Sequence, residues 1–357
     1  MRRCVITPTF EGHFDYVKNL LISYEKEVVD KYDYVIITGS DKESRKLRDI
    51  LRSKKWEWLK IYNITDILAK YGIHVDVDNL LKKVGRFSFQ TIKKLYPMLY
   101  LDYEQYLVID SESIFLRKTS LNKIFTEWEK QKTLFYSSMN SRNMSTYKNW
   151  LDYKTSINCA KLLGYKFDNK WRFETFNWIY EKRIVADLFS KFNGDLYHPI
   201  YNHSVAYAEE WDKAIFEIIL YSHFVSKNSE KYGYRQIDVI DELKRELGED
   251  LCQEMIKKTE PFPYLIHGWE ILKYRDISKI AKIYRKYKLF TSKLYLDKLR
   301  PKKIVRYHYI KKTGINIGVA TTGISLNDAI TACPLMKKIE LFIRGCIRYF
   351  KNPQNRK

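Results

Sequence analysis

Two acidic residues interrupt an apolar segment at residues 105–116. The segment reads QYLVIDSESIFL and places Asp110 and Glu112 directly after an apolar run. On an extended strand, side chains at positions i and i+2 lie on the same side. Both carboxylates could therefore bind one hard divalent cation, which would hold phosphate, while the strand stays buried. A solvated strand end would give the same pattern, so on these residues alone both interpretations stay open.

The preceding residues predict the elements that must position this acidic pair. Short β-rich segments alternate with segments of helical spacing. Strands are predicted at 4–7, 32–38, 58–62 and 106–112, and helices at 13–29, 41–51, 65–71 and 88–101. Such alternation is typical of a mostly parallel sheet flanked by helices, in which ligands bind beyond the carboxyl ends of the strands. We therefore expect Thr7, Pro8, Ser40, Asp110 and Glu112 to line one crevice.

Size and cysteine usage limit the class of protein. The 357 residues can bury a sizeable core, and the 29 tyrosines are those of an ordered chain. The five cysteines are scattered and form neither a disulfide framework nor a zinc spacing. The N-terminus passes straight into the first predicted strand without the pattern of a signal peptide. These features predict a cytoplasmic protein.

The positive charge is concentrated at the C-terminal end. Residues 271–357 contain 22 Lys and Arg against 4 acidic residues, a net +18, so that +3 of the total +21 remains for residues 1–270. A helix predicted at 335–350 has an apolar face and basic residues away from it, which suits the surface of an anionic membrane. A helix packed on the main domain with a solvated basic rim is the alternative. Residues 314–336 have few charges but too many Gly, Thr and Asn for a membrane-spanning helix.

The alternating sheet, the helical segment QTIKKL at 90–95 and the acidic strand together resemble GT-A type nucleotide-sugar glycosyltransferases. Among these, they are most similar to bacterial enzymes of surface polysaccharide or lipopolysaccharide assembly. The resemblance implies a Rossmann-like α/β catalytic domain at 1–270, with a donor half at about 1–118 and an acceptor half at about 119–270. We expect residues 271–357 to form a basic, helical C-terminal extension. The resemblance covers the catalytic domain and none of the extension.

The resemblance also implies functional residues. The family's acidic motif is usually Asp-X-Asp and carries Mn²⁺ or Mg²⁺; Glu112 departs from it here. Gln90 and Lys94 match a Gln and a Lys that face the donor, and their i, i+4 spacing puts them on one helix face. Lys93 and Lys94 could equally be surface charges. The implied donor-binding residues are Thr7, Pro8, Gln90, Lys94, Asp110 and Ser111, and the implied metal ligands are Asp110, Glu112 and His267.

The acceptor side rests on shorter matches. The segment FEIILYSH at 216–223 resembles a Glu-Tyr-X-Leu-Tyr-Gly stretch of related transferases, although Ser222 replaces the Gly. Its Glu217 stands in an apolar run, where a carboxylate is costly to bury without a function or a partner. The resemblance implies a general base for the acceptor hydroxyl, or a residue that holds the acceptor. Trp178, in an aromatic stretch, is the candidate acceptor-binding residue, although most such aromatics pack in cores.

These observations predict a metal-assisted glycosyltransferase for cell-surface polysaccharide assembly, peripheral on the inner face of the membrane. A UDP-sugar is the first candidate for the donor, and a glycan or lipid-linked acceptor would complete the reaction. One alternative is a nucleotidyltransferase, although residues 7–12 offer a single Gly for a phosphate loop. Another is a non-catalytic scaffold whose basic tail binds membrane or nucleic acid. We expect no nucleic-acid partner, because residues 1–270 lack a basic excess.

Overall fold

Strands and helices alternate along the N-terminal part of the chain. The computed structural model describes residues 1–111, 113–115, 119–138, 147–172, 179–207, 210–238 and 241, and strands at 294–295, 304–310 and 315–322. Up to the acidic segment, the elements are β1 (Arg3–Pro8), α1 (Phe14–Glu27), β2 (Asp33–Thr38), α2 (Asp41–Leu51), β3 (Leu59–Asn63), α3 (Ile64–Ala69), α4 (Val77–Tyr100) and β4 (Gln105–Val108). A short 3-10 turn at Glu11–His13 precedes α1.

The central sheet has five strands. With β7 (Ile179–Glu181), its order is β3-β2-β1-β4-β7. All pairs are parallel except β4 with β7, and Val5 of β1 is paired with Tyr34 of β2 and Leu107 of β4. The prediction of a mostly parallel mixed sheet flanked by helices is confirmed.

Burial of the inner strands explains why these segments become strands. Apolar and β-branched residues of β1, β2 and β4 are fully or almost fully buried, among them Val5, Ile6, Val35, Ile36 and Val108. A parallel strand covered on both faces needs such a continuous apolar run. Ser40 begins α2 because its side chain accepts a hydrogen bond from the backbone N–H of Glu43.

Two boundaries differ from the sequence-based prediction at the site. β4 ends at Val108, so Asp110 lies beyond the strand, and Ser111 is in a turn. The i, i+2 rule of an extended strand therefore does not apply to Asp110 and Glu112. Helix α4 begins at Val77, eleven residues before the predicted start, because the Asp76 side chain caps it.

The remaining elements cover the sheet and continue the chain. They are β5 (Ser113–Ile114), α5 (Leu121–Gln131), β6 (Thr133–Tyr136), α6 (Tyr147–Leu162), α7 (Lys182–Ser190), α8 (Tyr197–Val205), α9 (Glu210–Lys213), α10 (Glu217–Ser226), α11 (Ser229–Tyr232), β8 (Arg235–Asp238), β9 (Leu294–Tyr295), β10 (Ile304–Ile310) and β11 (Ile315–Thr322). β6 pairs with β8. β11 pairs with both β10 and β5, which joins the extension to the segment after Asp110.

The described residues of the C-terminal extension form strands. The prediction of a helical extension is therefore wrong for β9 to β11. Their sequences, such as IVRYHYI in β10, are rich in the β-branched and aromatic residues that suit a sheet. The amphipathic helix predicted at 335–350 lies outside the described residues.

Candidate functional site at the switch point of the sheet

The strand order reverses beside β1. The chain passes from β1 to β2 and β3 on one side, and after α4 it returns to form β4 on the other side of β1. In an open α/β sheet, such a reversal leaves a crevice outside the carboxyl ends of the two strands. Pro8 and Thr9 stand at this end of β1, and Ile109 to Ser111 stand at this end of β4. The fold and this crevice define an α/β protein with a doubly wound, Rossmann-like core.

The Thr7 side chain connects β1 to the residue that follows β4. Its hydroxyl donates to the carbonyl oxygen of Ile109 at 2.7 Å and lies 2.8 Å from the hydroxyl of Tyr34. Thr7 is fully buried, and neighbouring Pro8 is buried. Because its hydroxyl is already used inside the fold, Thr7 shapes the backbone before Asp110. Its predicted role in donor binding stays a prediction.

Lys94 connects three elements at the crevice. Its ammonium forms an ion pair with the carboxylate of Glu217, and its Nζ lies 4.0 Å from Oδ1 of Asp110. The Lys94 side chain is 1% exposed and that of Asp110 is 33% exposed. The interpretation of Lys93 and Lys94 as surface charges is wrong, since both side chains are buried. Lys94 thus lies between an accessible carboxylate and a buried one.

Glu217 occupies the first position of α10 and is 1% exposed. The sequence raised the question of what offsets its burial, and the answer is Lys94, 123 residues earlier in the chain. A buried ion pair is tolerated where the partners are close and the geometry is good. A carboxylate at a helix N-terminus is further stabilised by the helix dipole. This pairing supports a role of Glu217 in holding Lys94, beside the predicted role of general base.

Lys93, the neighbour of Lys94 on α4, contacts the residue that follows β1. Its Nζ donates a 2.7 Å hydrogen bond to the carbonyl oxygen of Thr9, and the side chain is 4% exposed. Its ammonium lies 5.0 Å from the centroid of the Phe89 ring. Burial lowers the pKa of Lys93 to about 8, although the charge of Glu43 acts in the opposite direction. The sequence reading did not assign this residue a role.

Three polar residues complete the rim on the side of β1 and β2. Nδ1 of His13 lies 2.7 Å from Oγ of buried Ser111 and so links the turn after β1 to the turn after Asp110. The carboxylate of Glu43 accepts hydrogen bonds from the backbone N–H groups of Gly39 and Glu11, at 2.6 and 2.9 Å. A Cβ atom at Gly39 would lie 2.8 Å from Oε2 of Glu43, so a larger residue there would displace this carboxylate. Neither His13 nor Glu43 was expected at the site.

Of the other predicted site residues, Gln90 lies one turn before Lys94 on α4 and is exposed. Glu112, Trp178 and His267 lie outside the described residues. Asp110 is suited to bind a hard cation, because its carboxylate is accessible at the switch point. Within the described part of the chain, no group of three or more His, Cys, Asp or Glu side chains could hold a metal ion. The predicted ligand set of Asp110, Glu112 and His267 stays a prediction.

A separate cleft of about 470 Å³ lies between the N-terminal part of α4 and α8. Its lining includes His74, Asp76, Asn79, Tyr197 and Tyr201. Tyr197 and Tyr201 are stacked, with ring centroids 5.9 Å apart. None of the residues predicted for the site lines this cleft, so it is distinct from the crevice at the switch point.

Comparisons with known proteins establish no family for this chain. No model of a known protein family matches the chain, and no curated protein matches it. Among solved structures, the chain is similar to 4-diphosphocytidyl-2C-methyl-D-erythritol synthase from Anaerococcus prevotii, at 10% identity and a TM-score of 0.33. The similarity covers 66% of this chain and 86% of that one. In the described part of this chain, no helix is both long and apolar enough to cross a membrane.

Proposed function

We propose that this protein is a glycosyltransferase that moves a sugar from a nucleotide diphosphate donor to a glycan or lipid-linked acceptor in cell-surface polysaccharide assembly. One observation carries the proposal. The switch point of a doubly wound sheet, where such folds bind nucleotides, brings accessible Asp110 together with buried Lys94 and Glu217. The Asp110 carboxylate can bind a cation that holds the diphosphate. The Lys94 ammonium beside it can stabilise the negative charge of the diphosphate as it leaves.

The chain's own residues would have these roles. Lys94 would stabilise the negative charge that develops on the leaving diphosphate, because an ammonium already fixed in place needs no reorganisation during the reaction. Asp110 would hold Mn²⁺ or Mg²⁺, with Glu112 and His267 as further ligands, and the ion would supply positive charge that stabilises the leaving diphosphate. Gln90, Ser111 and the end of β1 at Thr7 and Pro8 would border the donor. Trp178 would contact the acceptor.

Glu217 has two possible roles that kinetics can separate. A general base would take the proton of the acceptor hydroxyl, so Glu217→Gln would lower kcat about 100-fold or more while the KM for the donor stays unchanged. A residue that only positions Lys94 would also lower kcat, because Lys94 stabilises the departing diphosphate, but it would in addition change the affinity for UDP, which loss of a general base leaves unchanged. The burial of Glu217 and its pairing with Lys94 support the second role at least in the absence of substrate.

The test of the proposal is nucleotide release from UDP-, GDP- and CMP-sugars, with and without Mn²⁺. We expect release from one class of donor, a UDP-sugar first, and a loss of at least about 100-fold in Asp110→Asn. Asp102→Asn is a matched control, because Asp102 precedes β4 at the opposite end of the strand and is exposed. If no donor is bound or turned over, the transferase is refuted, and salt-dependent binding to membranes or RNA would then favour the scaffold.

A further inference from the structure

The two adjacent lysines of α4 differ in how their charges are offset. Lys94 is paired with Glu217 and lies near Asp110. Lys93 is buried just as deeply, but its hydrogen-bond partner is a neutral carbonyl oxygen, that of Thr9. Among the described residues, no carboxylate lies within ion-pair distance of the Lys93 ammonium. Lys93 is therefore a buried cation that the described fold leaves largely uncompensated.

Its ammonium also has unused hydrogen-bonding capacity. A lysine ammonium carries three N–H donors, and the bond to Thr9 uses one of them. The Phe89 ring offers a weak cation–π contact at 5.0 Å. Glu43 acts on Lys93 through its charge, but its oxygens accept hydrogen bonds from Gly39 and Glu11. Two donors of a buried cation thus have no acceptor in the described part of the protein, an arrangement that is costly without a ligand.

The position of Lys93 indicates the chemistry of that ligand. Thr9 directly follows β1, at the strand end where doubly wound sheets bind the phosphates of nucleotides. Phosphate oxygens accept several hydrogen bonds and carry the negative charge that no described residue places within ion-pair distance of Lys93. We propose that Lys93 binds an oxygen of the diphosphate of a nucleoside diphosphate in this crevice. The inference deepens the proposed function and rests on it for the identity of the donor.

A bound phosphate should change the protonation of Lys93. In the free protein, burial lowers the pKa of Lys93 to about 8, so that a growing fraction is neutral above that pH. A phosphate favours the charged form and raises the pKa again. Binding above pH 8 must therefore be accompanied by uptake of a proton, and affinity must fall as the pH rises.

Isothermal titration calorimetry with UDP and with inorganic pyrophosphate tests the inference on the full chain. For the wild type we expect affinity to fall roughly tenfold or more between pH 7 and pH 9.5. Lys93→Met should weaken binding roughly tenfold or more at pH 7 and abolish the pH dependence assigned to Lys93. Lys82→Met, an exposed lysine on the same helix, should bind like the wild type.

A second readout needs no variant. Titrations of the wild type at pH 8.5, in two buffers that differ in ionisation enthalpy, should show proton uptake on binding. Lys93 is not a phosphate ligand if Lys93→Met binds UDP and pyrophosphate as tightly as the wild type, if no proton is taken up, or if the wild type binds neither. Binding that depends on Lys93 without release from any nucleotide sugar would refute the transferase alone. Turnover with binding indifferent to Lys93 would refute the inference alone.

Discussion

Removal of the buried charge at Lys93 should change how the stability of the protein depends on pH. The relevant substitution is Lys93→Met, which keeps an unbranched side chain of similar length and removes the ammonium. In the wild type the pKa of Lys93 falls from 10.5 to about 8 on folding, because burial disfavours the charged form. In the unfolded chain, Lys93 thus keeps its proton up to a higher pH than in the folded protein.

The magnitude follows from this shift. Below pH 8 both states are protonated, and the folded state carries a penalty of about 3 kcal/mol for desolvating the charge. Between pH 8 and 10.5 the unfolded state binds more protons than the folded state, so the stability of the wild type rises with pH relative to a variant without the group. From pH 7 to pH 9.5 this relief amounts to about 2 kcal/mol. The lost hydrogen bond to Thr9 adds an offset independent of pH and cancels from the comparison.

The assay is urea unfolding of the wild type and of Lys93→Met at pH 7 and pH 9.5, followed by circular dichroism. The difference in free energy of unfolding, wild type minus variant, should increase by about 2 kcal/mol at the higher pH. Lys82→Met removes an exposed charge from α4, and its free energy of unfolding should depend on pH as that of the wild type does. A difference between wild type and Lys93→Met that is the same at both pH values would refute the assignment of Lys93 as a buried, uncompensated cation.

Two further predictions concern the ion pair of Lys94 and the break in α4. Lys94→Met should cost about 3–5 kcal/mol of unfolding free energy because it leaves Glu217 buried without its ion-pair partner, and the double variant Lys94→Met/Glu217→Leu should recover most of that loss in urea titrations. No recovery would contradict a direct coupling. Gly85, at φ 78° and ψ 164°, breaks α4 in a conformation open almost solely to glycine, so Gly85→Ala should lower stability by about 1–3 kcal/mol. Gly72→Ala is the control, because Gly72 is at a turn position with open space for a Cβ atom. Its loss of stability in the same measurement should be smaller than that of Gly85→Ala.

The bounds of helices and strands could be predicted from the sequence where the local residue pattern determines them. Helix α2 has the predicted bounds, since its N-cap serine and helical spacing stand together at 40–51. The start of α4 was missed, although Val77, Leu80, Leu81 and Val84 have the i, i+3, i+4, i+7 spacing of a helix face, because Gly85 interrupts the pattern directly after them. The end of β4 was placed too late, since apolar residues continue at Ile109 after the strand pairing stops.

The site was only partly predictable for a different reason. Asp110 and Lys94 could be proposed because each stands in a short motif, and Glu217 because a lone carboxylate in an apolar run needs an explanation. Their ion pair could not be foreseen, because it joins residues 123 positions apart. Burial of both Lys93 and Lys94 requires α4 to contact the end of β1 on one side and α10 on another, as their partners Thr9 and Glu217 show.

The two buried lysines of the crevice differ in what balances their charges in the free protein. Lys94 and Glu217 neutralise each other inside the fold, and such a pair can be held without any ligand. Lys93 has no such counter-charge within ion-pair distance among the described residues, so its burial lowers stability in the free protein. A fold that needed only stability would place an apolar side chain there. The cost is recovered when an anion enters, and a cation held in place beforehand binds that anion with little reorganisation. The residue that weakens the free protein is thus the one best prepared to hold a phosphate.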